Sequence, residues 1–186
     1  MSMQDRLCDL YARTADPWSF ESSWYEQRKY ALTLASLPQA RYRSAYEPGC
    51  SIGVLTRLLA DRCDTIIASD FVPAALERAR ARTRGLDHVR IVELETPREW
   101  PTGSFDLIVV SELAYFLQPD QVGALGRRIA GSLSEDGTVV MVHWTGPIDA
   151  WAIPAAQAHE RLAAEAGLTR SVRLADEQFL LEVYGR

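Results

Sequence analysis

The sequence SAYEPGCSIGVLTRLLADRCDTIIASD, residues 44–70, decides the fold of this chain. It predicts a short buried strand that ends at Ala45-Tyr46, a glycine-containing turn, a helix over Val54–Ala60 and a second strand over Thr65–Ala68. Strand, helix and strand in this order form a βαβ unit with parallel strands. Because ligands of parallel sheets bind outside the carboxyl ends of the strands, we expect a ligand at this turn.

Polar and small residues follow both of these strands. Glu47 stands at the end of the first strand, and Gly49 and Gly53 bracket the turn into the helix. Glycine is required where φ is positive or where a ligand approaches the backbone so closely that no Cβ fits. Asp70, at the end of the second strand, is placed to accept hydrogen bonds from both hydroxyls of a ribose. The stretch therefore predicts a nucleoside-binding site.

The rest of the chain alternates between helix and strand patterns. Helices are predicted over Met3–Arg13, from Ser23 to a stop at Pro38, from Pro73 to about Arg84, and over Pro119–Leu133 and Ala155–Ala166. At the start of the second helix, Ser23 and Glu26 are predicted to form a capping box. Strands are predicted over Val89–Glu93, Phe105–Val110, Thr138–His143, Thr169–Leu174 and Phe179–Tyr184, with a turn at Asp136-Gly137 and a loop from Gly146 through Trp151. This order predicts a doubly wound, Rossmann-like α/β sheet of seven mostly parallel strands with an antiparallel C-terminal hairpin strand.

Composition predicts one soluble domain. The 186 residues are 47% hydrophobic and carry a net charge of −5, so no basic surface favours nucleic acid or an anionic membrane. No apolar run approaches the length that spans a bilayer, and residues 1–9 lack the apolar segment of a signal peptide, so a cytoplasmic location is expected. Three cysteines, Cys8, Cys50 and Cys63, have no zinc spacing, and no metal site is predicted.

Several other nucleotide-binding and hydrolytic classes lack their signatures here. The turn Glu47-x-Gly49-x-Ser51-x-Gly53 differs from the Gly-x-Gly-x-x-Gly of pyrophosphate-binding folds, and the chain contains no P-loop. Cys50-Ser-Ile lacks the glycines of a nucleophile elbow. The string Tyr25-x-x-x-Lys29 precedes the glycine turn, where the tyrosine–lysine pair of a short-chain dehydrogenase does not belong, and we interpret it as coincidence.

The turn resembles motif I of the class I S-adenosylmethionine (SAM) methyltransferases, with Ser51 in place of the middle glycine. Further segments resemble the nodulation methyltransferase NodS family: Asp16-Pro-Trp, Ser23-Trp-Tyr-Glu-Gln-Arg-Lys, Glu47-Pro-Gly-Cys-Ser-Ile-Gly-Val-Leu-Thr, Phe105-Asp-Leu-Ile-Val-Val-Ser-Glu-Leu-Ala-Tyr-Phe-Leu and Val142-His-Trp. The resemblance covers almost the whole chain. It implies one methyltransferase domain over 1–186, with an N-terminal helical lid over 1–38 and a SAM-binding core over 44–186.

The resemblance also implies the chemistry. The expected reaction is SAM-dependent N-methylation of the free amine of a de-N-acetylated chitooligosaccharide or a related amino sugar, with S-adenosylhomocysteine (SAH) as product. The expected partner is thus a small-molecule or oligosaccharide acceptor. The predicted cofactor contacts are Glu47, Gly49, Cys50, Ser51, Gly53, Asp70, Phe71, Glu95, Thr96, Ser111, Tyr25 and Arg28. Methylation of another small molecule at oxygen or nitrogen, and SAM binding without catalysis, are the alternatives.

Three polar residues are the predicted catalytic groups. Glu112 and Tyr115 follow the strand Phe105–Val110, and His143 ends the next strand, so all three are expected at the cleft. Each has an alternative: His143 as a buried histidine that closes its strand, and Tyr115 as a residue packed under the following helix. For Glu112, Ser-Glu-Leu-like ends of this strand occur in methyltransferases of many acceptor types. Glu93 is an alternative to Glu95 for the adenine, and the N-terminal helices are either a lid or only a cover of the sheet.

Overall fold

The computed structural model describes residues 3–146 and 153–186, so most of the predicted loop from Gly146 through Trp151 lies outside the described residues. The helices are α1 (Met3–Arg13), α2 (Trp24–Ser36), α3 (Val54–Ala60), α4 (Pro73–Arg82), α5 (Pro119–Ser132) and α6 (Ala155–Ala166), with a short 3-10 turn over Ala114–Phe116. None of the helices in these two ranges is both long and apolar enough to span a bilayer.

Seven strands form one sheet. They are β1 (Tyr42–Pro48), β2 (Cys63–Asp70), β3 (Val89–Glu93), β4 (Phe105–Ser111), β5 (Leu133–Trp144), β6 (Thr169–Ala175) and β7 (Phe179–Gly185), in the order β3-β2-β1-β4-β5-β7-β6. Only β7 is antiparallel to its neighbours, β5 and β6. The predicted fold class is confirmed.

Apolar side chains on both faces of the sheet explain why its central strands are buried. On one face, β4 and β5 pack against α5 and α6 through residues such as Val110, Leu125 and Leu162. On the other face, β1 packs against α2 and α3 through residues such as Tyr30 and Leu59. A strand covered on both sides is a nearly continuous apolar run, which is the pattern of residues 107–110.

Two local predictions are wrong. Asp136-Gly137 is not a separate turn, because β5 runs without interruption from Leu133, and the pairing with β4 shifts from Phe105↔Leu133 to Leu107↔Thr138. Ser23 and Glu26 do not form a capping box: Ser23 precedes α2 but makes no side-chain capping bond. The Glu26 carboxylate instead turns inwards to Lys29, whose ammonium it partners at 3.0 Å.

The topology brings the carboxyl ends of β1, β2 and β4 to one edge of the sheet. β1 lies between β2 and β4, with Glu47 opposite Ala68 and Tyr46 opposite Ile108. The order of strands reverses at β1, and that reversal opens a crevice above the sheet edge. The residues predicted for the site therefore meet in one place.

Candidate functional site

A cavity of about 690 Å³ lies at this edge of the sheet. Its volume is within the range of sites for small molecules and cofactors. Gly49, Ser51 and Asp70 line one side, which we call the turn end, and Glu112, Tyr115 and Trp144 line the other, which we call the Glu112 end. Apolar side chains from the N-terminal segment, such as Leu7, Trp18 and Phe20, close it from outside.

The turn end has the backbone conformation that its glycines predict. Gly49 and Gly53 have φ of 73° and 77°, and Ser51 is also left-handed at 51°. A Cβ on Gly49 would lie 3.2 Å from the Leu113 side chain, and one on Gly53 would lie 3.0 Å from Ala79. Gly49 is thus constrained both by its φ and by the cavity wall, whereas Gly53 is constrained by the packing of α3 on α4.

Asp70 ties this turn to β2. Its carboxylate accepts the backbone N–H of Ser51 at 2.9 Å and that of Val72 at 3.0 Å. Burial raises the pKa of Asp70, and these N–H groups oppose the shift. The side chain still lines the cavity, so a carboxylate of fixed orientation faces the space where a ligand would lie.

Glu47 lies beneath the turn instead of in the cavity wall. It is 3% exposed, and it accepts a hydrogen bond from the Thr56 hydroxyl at 2.6 Å. Burial raises its pKa to about 8, while the Thr56 hydroxyl lowers it. A positive charge on a bound ligand would favour the ionised carboxylate at this position.

Three predicted cofactor contacts that follow β2 and β3 reach the cavity. Phe71, Glu95 and Thr96 line it. Glu93, the alternative to Glu95, is exposed and does not line it. Glu95 is the residue of this pair whose position fits a ligand contact.

At the Glu112 end, the Glu112 carboxylate accepts hydrogen bonds from three donors. Glu112 Oε1 accepts from Lys29 Nζ at 2.6 Å, and Oε2 accepts from the backbone N–H of Trp144 at 3.1 Å and from the Tyr115 hydroxyl. Glu112 itself has φ of 51°, so its backbone is held in the left-handed region. A carboxylate has about four lone-pair positions, which leaves one on Oε1 for a ligand.

Lys29 is the functional residue that sequence reasoning missed. Its side chain is 0% exposed, and its ammonium lies between Glu112 at 2.6 Å and the two oxygens of Glu26 at 2.9 and 3.0 Å. The available signal was composition, because Lys29 is the only lysine in a chain whose other cationic residues are arginines or histidines. An ammonium between two carboxylates leaves this cluster one negative charge in excess.

Two neighbouring residues of α2 carry polar atoms without hydrogen-bond partners. Of the buried side-chain nitrogens and oxygens in the described ranges, Tyr25 OH and Glu26 Oε2 make no hydrogen bond, but Glu26 Oε2 lies 2.9 Å from Lys29 Nζ in an ion pair, so only the Tyr25 hydroxyl is without a partner. Both residues line the cavity at the Glu112 end. Buried polar groups are nearly always paired, so the Tyr25 hydroxyl indicates where a polar ligand group would bind.

His143 does not line the cavity, so the structure gives no support to its predicted contact with the acceptor. The ring is 0% exposed and both nitrogens are occupied, Nε2 by the backbone N–H groups of Leu113 and Ala114 and Nδ1 by His159. The reason is that residues 137–143 of β5 are all buried, so side chains on both faces of the strand are covered. The structural alternative for this histidine is the one that the structure supports.

Four further predicted cofactor contacts are likewise absent from the cavity lining: Cys50, Gly53, Ser111 and Arg28. The Cys50 thiol is buried against Ala68, Leu76 and Ala79. Arg28 pairs with Asp176, next to β6, at 2.6 Å, and Ser111 is half-buried at the end of β4. Within residues 3–146 and 153–186 no three histidine, cysteine or acidic side chains form a group able to hold a metal.

The sequence profile of the family described as Nodulation protein S (NodS) matches residues 4–150, which is most of the chain. The chain belongs to the NodS family.

Two curated members of the NodS family illustrate its sequence relationship. Nodulation protein S of Bradyrhizobium diazoefficiens is 36% identical over 127 residues, 67% of this chain and 61% of the relative. That of Rhizobium tropici is 35% identical over 103 residues, 55% of this chain and 43% of the relative. The chain therefore spans between about two fifths and three fifths of the length of these relatives.

Solved structures agree with the fold. A provisionally assigned methyltransferase of Pseudomonas syringae is 39% identical with a TM-score of 0.79, and the match covers 88% of this chain and 100% of the other. The N-methyltransferase NodS of Bradyrhizobium japonicum WM9, solved with SAH, is 23% identical with a TM-score of 0.80 and 96% coverage of both chains. At that identity the second match establishes the fold alone.

Proposed function

We propose that this protein is a SAM-dependent methyltransferase whose acceptor is an amine. One observation carries the proposal: a single cavity joins a glycine turn with a carboxylate at the next strand end to a second, partly buried carboxylate, Glu112. The glycine turn and its carboxylate can bind a nucleoside, and Glu112 can bind the reacting group of the acceptor. Membership of the NodS family supports this function, because a relative with the same fold is an N-methyltransferase solved with SAH.

The cavity fits the cofactor. Gly49 has no side chain, and a Cβ at this position would crowd the Leu113 side chain of the cavity wall. The buried Tyr25 hydroxyl has no hydrogen-bond partner within the protein. We expect Asp70 to bind the ribose hydroxyls, Glu95 and Thr96 the adenine, and the turn with Ser51 the amino-acid part. When bound, SAM supplies a methyl group that is already activated as a sulfonium.

The contribution of the protein is then alignment and exclusion of water. Holding two reactants in the correct geometry supplies about 7–11 kcal/mol of the barrier reduction. An amine must be uncharged to attack, because only the uncharged nitrogen has a free lone pair. Glu112 can accept one N–H on its remaining lone pair and stabilise the positive charge that develops on the nitrogen.

For the acceptor, we propose the free amine of a de-N-acetylated chitooligosaccharide or a related amino sugar. The names of the curated relatives support this class. The unpaired Tyr25 hydroxyl supports an acceptor that carries hydroxyl groups beside the amine, because such a hydroxyl can pair with it.

The deciding experiment is a methyl-transfer assay on deacetylated and acetylated chitooligosaccharides, side by side. We expect transfer to the deacetylated compounds alone, with a rate that rises with pH as the amine loses its proton and then levels off. Equal methylation of both would favour an oxygen acceptor. Stoichiometric SAH binding in calorimetry without transfer to any acceptor would favour a non-catalytic SAM-binding module.

We also propose that the segment 16–28 acts as a lid. Trp18, Phe20 and Tyr25 line the cavity, and the Asp16 carboxylate holds the segment by accepting the N–H of Phe20 at 2.9 Å. Closing such a lid keeps water from the reacting groups. Hydrogen exchange of this segment should slow when SAH binds, and equal exchange in both states would mean that it is only a cover.

A further inference from the structure

The fully buried ring of His143 is the start of a chain of hydrogen bonds that leads away from the cavity. Its Nε2 lies 2.9 Å from the backbone nitrogen of Ala114 and 3.3 Å from that of Leu113. Both of these groups are N–H donors, so Nε2 must accept and carries no proton. The proton of the neutral ring is therefore on Nδ1.

The position of the proton on the His159 ring follows in the same way. His143 Nδ1 lies 2.8 Å from His159 Nε2 on α6. Since His143 donates, His159 Nε2 accepts, and the proton of His159 is on Nδ1. That nitrogen lies 2.9 Å from Glu182 Oε2 on β7, to which it donates.

Glu182 fixes which group donates and which accepts in this series of hydrogen bonds, because an ionised carboxylate can only accept. It is 2% exposed, and it accepts from the Tyr184 hydroxyl at 2.6 Å and from Arg170 at 2.8 Å. Burial alone would raise the pKa of Glu182, but the hydrogen bonds from His159 and Tyr184, together with nearby positive charge, lower it to about 2. Arg173, at 3.1 Å, is a further cation beside it.

At the His143 end of this series of hydrogen bonds, the ring holds the backbone that follows Glu112. Leu113 and Ala114, which donate to His143, directly follow Glu112 and its left-handed φ of 51°. The Glu112 N–H donates to Val142 O at 2.9 Å, so β5 fixes the residue from two sides. A change at His143 would release this turn and with it the direction of the Glu112 carboxylate.

We propose that His159 and Glu182 are positioning residues, which hold His143 in the tautomer that accepts from the turn after Glu112 and thereby aim the Glu112 carboxylate into the cavity. The inference rests on the proposed function only for the role of Glu112. Both residues lie beyond residues 4–150, the segment that the family profile matches. The C-terminal part of this chain thus completes a site whose cavity is lined mostly by the matched part.

The surroundings keep His143 neutral. His159 faces it from α6, Tyr115 from the 3-10 turn at a ring distance of 5.3 Å, and Lys29 adds positive charge from α2. Burial lowers the pKa of His143 well below its usual value, and the charge of Lys29 lowers it further. His143 is therefore held in the neutral form that the two bonds to its Nε2 require.

The first test uses the unaltered protein. In an NMR spectrum of protein labelled with ¹⁵N-histidine, both His143 and His159 should show an unprotonated Nε2 and a protonated Nδ1. A protonated Nε2 on His143 would overturn the proposal. The measurement needs no activity, so its result is independent of the proposed function.

The second test separates positioning from folding. His159→Leu should lower kcat about ten- to a hundredfold, leave SAH affinity within about twofold, and speed hydrogen exchange at Leu113 and Ala114. His159→Gln should recover most of the loss, because an amide can accept from His143 and donate to Glu182. His88→Leu, which removes a histidine bonded to Ala60 O on another part of the surface, should change none of these readouts.

Three results would contradict the proposal. They are an unchanged kcat in His159→Leu, equal losses of kcat and SAH affinity in that variant, and a His159→Gln variant as slow as His159→Leu. Should His159→Leu fail to fold, Glu182→Gln gives the same comparison. The glutamine keeps an oxygen that accepts from His159 but has no charge. The hydrogen-exchange rates at Leu113 and Ala114 should therefore rise less in Glu182→Gln than in Glu182→Leu, which has no acceptor.

Discussion

The two ends of the cavity are built by different means. The turn end comes from one continuous stretch, residues 44–70, and its contacts are backbone N–H groups on a single carboxylate, Asp70. The Glu112 end comes from side chains on α2, β4 and β5, and its contacts are ion pairs that are partly or fully buried. The first depends on backbone conformation, and the second depends on the balance of charge in a place with little water.

The largest effect should follow from upsetting that balance. Lys29→Met would leave Glu26 and Glu112 as neighbouring carboxylates without their cation, which costs about 3–5 kcal/mol of unfolding free energy for a buried pair. Denaturant unfolding measures the loss. Adding Glu112→Gln should recover part of it, whereas Arg57→Met, which breaks an exposed pair with Asp61, should cost no more than about 0.5 kcal/mol. A loss in Lys29→Met as small as that of Arg57→Met would mean that the cluster is not held by its charges.

Removing the charge of Glu112 tests what the Glu112 end does. Glu112→Gln should lower kcat about a hundredfold, which corresponds to about 2.7 kcal/mol of transition-state stabilisation, with a much smaller change in SAH affinity. The comparison variant is Glu165→Gln, which changes an ion pair with Arg127 away from the cavity. Full activity in Glu112→Gln would contradict the proposal that the acceptor is an amine.

At the turn end, the expected change is in affinity. Asp70→Ala should weaken SAH binding in calorimetry by about ten- to a hundredfold for each lost bond to the carboxylate, or about 1.5–3 kcal/mol per bond. Asp106→Ala is a matched control, because Asp106 also accepts two backbone N–H groups, those of Arg43 and Ser44, but at the opposite edge of the sheet. Equal SAH affinity in the two variants would contradict the role of Asp70.

The remaining prediction concerns Glu47 and pH. Its pKa in the folded protein is about 8, above the ordinary value of a free carboxyl, so the folded state binds its proton more tightly than the unfolded state. The unfolding free energy should therefore fall as pH rises from about 5 to 8, by at most about 1.4 kcal/mol per pH unit. Glu47→Gln should remove this slope, and SAH should reduce it if the bound ligand brings a positive charge near the carboxylate. The same slope in both proteins would assign it to other groups.

The difference between the two ends also explains what the sequence could predict. Residues 44–70 are local, so the spacing of Gly49, Gly53 and Asp70 is sufficient to place the turn end. The βαβ order and the final hairpin likewise predict the sheet, apart from the continuous β5 at Asp136-Gly137. In each case the information lies within a short window of the chain.

The Glu112 end could not be predicted in the same way. Lys29 and Glu112 are 83 residues apart in sequence, and His143 and His159 meet only because α6 packs beside β5. A pattern that places His143 at the end of a strand does not show which way the ring faces. Burial of Lys29 is also the opposite of the usual preference of lysine, and only its uniqueness in the composition marked it.

The position of β7 in the sheet has a consequence for the order of assembly. β7 lies between β5 and β6, and all seven residues of its pairing with β5 come from Phe179–Gly185. In a chain synthesised from its N-terminus, β5 therefore remains an open edge while about the next three dozen residues are added. Glu182 arrives with the same strand. Until then the nascent protein has an unprotected strand that other chains can pair with, and its Glu112 turn is not yet held, so synthesis of this strand both closes the sheet and completes the site.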